Sequence, residues 1–124
     1  KLSSTIDILA VNPRKGMMFP QMEFQYLQKR TANNEFEKLK RRIKVPLHSI
    51  RDIKVNGQEA KTFAYDSEVI FDFASGGSSI SDISNRTILI NLDGGVFKCE
   101  INGSKEKLEE YEDQFAKICG SAIE

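Results

Sequence analysis

Residues 87–101 read TILINLDGGVFKCEI. Two runs rich in β-branched and aromatic residues, 87–92 and 96–101, flank Asp93-Gly94-Gly95, the composition of a tight turn between antiparallel strands. Phe97, Cys99 and Ile101 alternate with Lys98 and Glu100. A period of two sends successive side chains to opposite faces, so one face is apolar and the other polar. This hairpin sets the fold class as mainly β.

The chain downstream changes period. Ser104 stands where an N-cap is wanted, and Glu106 lies in the first turn, where the helix dipole favours an acid. Leu108, Tyr111, Phe115, Ile118 and Ala122 then recur at three and four, opposite Glu109, Glu110, Glu112, Asp113 and Lys117. An amphipathic C-terminal helix follows, with its apolar stripe packed on the sheet.

Upstream, residues 5–11 (TIDILAV) form a strand closed by Asn12-Pro13, and residues 12–20 (NPRKGMMFP) a loop between prolines. Met22, Phe24 and Tyr26 alternate with Glu23 and Gln25, a half-buried strand. Residues 31–35 supply a turn. Residues 36–47 set Leu39, Ile43, Val45 and Leu47 against Lys38, Lys40, Arg42 and Lys44, a second strand and hence a hairpin with the first. A helix capped by Asn34 with Glu37 three residues on competes for this stretch, but the alternation continues across Pro46, where a helix interior fails. Residues 50–55 and 62–73 read as further strands, and the Gly/Ser-rich residues 74–84 as a mobile loop.

Length, charge and cysteines bound the function. The 124 residues suit one domain spanning 1–124. The chain starts at Lys1, not Met, which reads as a domain excised from a longer protein or a processed one. No apolar run reaches the roughly 18–20 residues of a membrane-spanning helix. Net charge is zero but uneven: residues 1–62 carry 13 Lys or Arg against 6 Asp or Glu, and residues 63–124 carry 5 against 12. Such asymmetry marks a basic binding face or two mutually attractive halves. Cys99 and Cys119 are too few for a disulfide framework and read as two separate thiols in a reducing, cytoplasmic setting. The sequons at Asn85 and Asn102 read as chance matches to a short pattern.

No catalytic constellation emerges. His48 sits beside Ser49 in an expected turn with no Asp placed to orient it, and a Cys99–His48 pair has no third group. Gly76-Gly77 lacks the Lys-Ser/Thr of a phosphate-cradling loop, and no metal-ligand spacing occurs. The expectation is a non-enzyme without cofactor or metal.

About seven strands in meander order followed by one amphipathic helix resemble the pleckstrin-homology (PH) fold, a bent antiparallel β-barrel plugged by a C-terminal helix. Residues 43–53 (IKVPLHSIRDI) also resemble a stretch of GRAM and bacterial PH-like domains in which a strand ends at the proline and the next begins after the isoleucine. The resemblance implies a non-catalytic binding module, with anionic lipid held by a Lys in the first loop and a basic-x-Arg pair on the second strand. Arg14 and Lys15 occupy that loop. The second strand instead offers Glu23, Gln25 and Gln28, and Tyr111 or Phe115 must fill the place of the usual helix Trp.

Two binding surfaces are therefore expected. Met17, Met18 and Phe19 form an apolar loop that is either tucked into the core or a partner-binding tip. Arg14, Lys15, Lys40, Arg42 and Lys44 form a basic patch for anionic lipid. The leading expectation is recognition of another protein that positions a larger one. Recruitment to a membrane surface comes next, then a small enzyme or ligand carrier with a pocket between helix and sheet. Nucleic acid ranks lower, because charge is balanced overall and stacking aromatics are not evident.

Overall fold

The computed structural model describes residues 6–8, 20–72 and 76–123. The elements run β1 (Ile6–Ile8), β2 (Gln21–Gln28), α1 (Ala32–Arg42), β3 (His48–Val55), β4 (Gln58–Asp72), β5 (Ser78–Leu92), β6 (Gly95–Ser104) and α2 (Lys105–Ser121). The strands form one antiparallel sheet in the order β1-β2-β6-β5-β4-β3. This is an α+β fold. The expected barrel of about seven strands with a single helix is not what the described residues form: the sheet has six strands, two open edges at β1 and β3, and two helices.

The hairpin at 87–101 is present as β5 and β6, with Ile90 opposite Phe97 and Ile88 opposite Cys99. Asn56 and Gly57, at φ 50° and 82°, make the tight β3–β4 turn in the left-handed region such a turn requires. The Ser-rich stretch is the first departure. Most of it is strand: β4 and β5 pair from Ala60↔Ile90 out to Asp72↔Ser78, and these ladder bonds override a loop-like composition.

The second departure matters more. Residues 36–47 are not a strand; helix α1 runs through Arg42. Thr31 caps it, its hydroxyl accepting from the Asn34 N–H at 3.2 Å, and the Ala32 N–H donates to Asn91 Oδ1 at 2.8 Å. Ala32, Glu35, Phe36 and Leu39 are buried at helical spacing, and Lys40, Arg41 and Arg42 fill the last turn, where the dipole favours cations. Ile43, Val45 and Leu47 alternate only because the chain is extended after the helix. Strand β2 therefore pairs with β6 and β1, not with this segment. Residues 43–53 accordingly follow a helix, and no strand ends at Pro46.

Both faces of the sheet are covered in part. On one, α2 packs Leu108, Phe115 and Cys119 against Phe24, Phe97, Ile88, Ile90 and Ile101. The Phe24 ring stacks on Phe97 and tilts on Phe115, each at 6.2 Å. Ser104 caps α2 as expected. On the other face, α1 packs Phe36 and Leu39 on Phe63, Leu89 and Val96. Cys99 and Cys119 are not separate thiols: a disulfide joins β6 to α2 in the centre of the first core.

Candidate functional site

Helix α1 covers only part of its face of the sheet. Beyond its C-terminal turn the same face carries a polar network on β5 and β6. Register places Asn85 opposite Asn102 and Thr87 opposite Glu100. The Asn85 amide donates to Glu100 Oε2 at 3.1 Å and to Asn102 Oδ1 at 2.6 Å, and the Thr87 hydroxyl donates to Asn85 Oδ1 at 2.7 Å. Asn85 and Thr87 are each 1% exposed. Buried polar groups are tolerated when mutually bonded, and a satisfied network of this kind fixes the position of each member. Glu100 is thus held from below. The sequon at Asn85 is closed, because its amide is consumed in the network.

Between this network and α1 lies a cleft of about 260 Å³ lined by Leu39, Arg42, Ile43, Phe63, Tyr65, Thr87, Lys98 and Glu100. One wall is apolar and the other charged. The Lys98 side chain is 15% exposed, and its ammonium sits 3.8 Å from Glu100 Oε1, beyond hydrogen-bonding length. Burial and the nearby Glu100 charge push the Tyr65 phenol above its ordinary range, so it stays protonated and able to donate. Two cations, one already anchored carboxylate and a phenol face the cleft.

A larger depression of about 580 Å³ opens at the other end of α1, lined in part by Asn33, Asp52, Lys54, Glu59, Lys61 and Asn91. Its polar groups are spoken for or wet. Lys61 pairs with Asp52 at 2.9 Å and lies over the Phe36 ring, Asn91 holds the Ala32 N–H, and Lys54 and Glu59 are exposed.

His48 does find an acid. Its Nε2 lies 3.1 Å from Asp66 Oδ2, its Nδ1 3.0 Å from Ser49 Oγ, and the Ser84 hydroxyl donates to Asp66 Oδ1 at 2.5 Å. The order serine–histidine–aspartate resembles a relay, yet His48 and Asp66 are both over 40% exposed, and the two clefts just described do not include them. A Cys99–His48 pair is ruled out, since Cys99 is disulfide-bonded.

The expected basic patch changes character. Arg14 and Lys15, with Met17, Met18 and Phe19, lie outside the described residues. Lys40 and Arg42 belong to α1 and Lys44 to the linker after its cap, all three exposed. Residues one or two apart on a helix do not share a face. Lys40 sits 6.0 Å from the Phe36 ring centroid, whereas Arg42 lines the cleft. The one-sided basic strand is overturned. Lys98, Tyr65, Thr87 and Glu100 went unrecognised, because the polar face of β6 reads as plain solvent side until α1 is known to cover half of it.

The chain matches no family model and no curated protein. Its fold is similar to the crystal structure of PA94, a protein of unknown function from Pseudomonas aeruginosa. The TM-score is 0.56 at 14% identity, over 97% of this chain and 81% of that one.

Proposed function

We propose that this domain is a non-catalytic recognition module that takes an acidic side chain of a partner protein into the cleft between α1 and the sheet. The observation that carries it is Lys98, whose side chain is mostly covered and whose ammonium makes no protein hydrogen bond of proper length, facing the same cleft as Arg42. A half-buried cation is costly unless an anion or acceptor completes it. Glu100 Oε1 faces it at 3.8 Å, too far for a hydrogen bond, which leaves the ammonium's donors open to a second acceptor. The apolar wall of Leu39, Ile43 and Phe63 suits the carbon stem or a neighbouring aromatic. At about 260 Å³ the cleft falls below the roughly 300–1,000 Å³ of small-molecule pockets. That favours one or two side chains over a whole ligand.

The test is fluorescence anisotropy with a labelled peptide of alternating Glu and Phe, against its Gln counterpart, with amide shifts locating the site. Salt-sensitive binding of the Glu peptide should weaken about tenfold or more in Lys98→Gln, since a charge-assisted bond contributes about 1.5 kcal/mol or more. Equal binding of both peptides at the cleft refutes the acidic ligand. No shift at Thr87, Lys98 or Glu100 refutes the cleft itself. Binding instead to phosphatidylserine or phosphoinositide vesicles, lost in Lys40→Ala/Arg42→Ala/Lys44→Ala, would transfer the role to the membrane.

A further inference from the structure

We infer that this domain operates where thiols are oxidised, and that the Cys99–Cys119 bond is made before α2 seats on the sheet. Cys99 lies in the middle of β6, between β2 and β5, and Cys119 in the last turns of α2. Their Cα atoms are 6.0 Å apart, within the span a disulfide bridges without moving the backbone. The chain has two cysteines, and both are spent on this bond. Disulfides persist in secreted, periplasmic or lumenal proteins and are rare in a reducing cytosol.

Both residues are 0% exposed, walled in by Phe24, Phe97, Phe115 and Ile101. Thiol–disulfide exchange needs a thiolate in line with an accessible sulfur. In the docked state neither sulfur can be reached. The chemistry therefore belongs to an open state: one thiolate attacks the disulfide of a thiol–disulfide oxidant, giving a mixed disulfide and releasing one oxidant sulfur. The second thiolate then displaces the other. Two protons and two electrons leave the chain, and the oxidant becomes a dithiol. Helix docking then seals the product.

The test has two arms. Protein recovered from its own cells under acid quench is alkylated in denaturant without reductant; no labelled cysteine is expected, and two labelled cysteines overturn the compartment. The purified protein is then incubated with reduced glutathione, folded or in urea. Loss of the bond should be at least tenfold slower in the folded chain, and equal rates overturn the sealed-sulfur account.

Discussion

Breaking the disulfide gives a magnitude that can be worked from the structure. The bond closes a loop across a sequence separation of 20. In the chain-entropy treatment, a loop of about 20 residues left open frees the unfolded chain by about 11 cal/mol/K, or about 3.3 kcal/mol at 25 °C. Native-state losses add to this, because Cys99 and Cys119 are both fully buried and alanine leaves a void where each sulfur was, so the entropic figure is a lower bound. With a urea m-value of about 2 kcal/mol/M for a domain of this size, Cys99→Ala/Cys119→Ala should lower the unfolding midpoint by roughly 1.5 M or more. Tryptophan is absent, so far-UV circular dichroism is the readout. The m-value should rise slightly as the unfolded chain expands. A midpoint shift below about 0.5 M would refute the entropic reasoning and imply that α2 is held by packing alone.

Other perturbations follow from particular contacts. Thr31→Ala removes the cap of α1 and should cost about 1 kcal/mol in urea unfolding, while Thr31→Asn should be neutral. Gly95→Ala drives a methyl into the Leu27 carbonyl and to within 2.7 Å of the Tyr26 hydroxyl; overpacking of this kind costs about 1–3 kcal/mol, read from the thermal midpoint. The Ser84 hydroxyl, helped by the His48 and Lys105 charges and opposed by burial, holds the Asp66 carboxyl below its ordinary value. A depressed carboxylate stabilises above its unfolded pKa of about 3.9, and that contribution is lost as pH falls through the lower folded value. Asp66→Asn should therefore be less stable than wild type at pH 7, with the difference shrinking as pH falls below about 3.9. Because Asp66 is 41% exposed, solvent screening keeps the difference under about 1 kcal/mol. Equal stability at pH 7 would count against the Ser84–Asp66 bond.

Much of the sheet was legible because its signals are local. Alternation at Phe97, Cys99 and Ile101, the Asp93-Gly94 turn and the three-four spacing of Leu108, Phe115 and their neighbours each reflect one element's own period. Helix α1 was obscured by a junction: its apolar stripe of Ala32, Phe36 and Leu39 runs into Ile43, Val45 and Leu47, whose extended spacing imitates a continuing strand. Lys40, Arg41 and Arg42 together were the overlooked sign of a helix C-terminus. The site inherits that error. Lys98 and Glu100 can be recognised as half-covered only once a helix is known to lie over their face. The disulfide is a further step removed, since it needs the docking of α2 on β6, although Cys119 does fall four residues after Phe115 on the apolar stripe.

The central claim is that the cations of the α1–sheet cleft select an acidic partner. The most direct measurement is charge reversal: Arg42→Glu combined with Lys98→Gln, titrated with matched Glu/Phe and Lys/Phe peptides while amide dispersion confirms the fold. Arg42 is exposed on the last turn of α1, and Lys98 lies on the α1 side of β6, on the opposite face of the sheet from the Phe24–Phe97–Phe115 core. The account predicts that wild type prefers the Glu peptide and that the variant loses this preference and favours the Lys peptide, a swing of about tenfold or more, as expected for close charge pairs in a recessed site. A variant that still prefers the Glu peptide, or a wild type indifferent to the sign of the peptide, would contradict it.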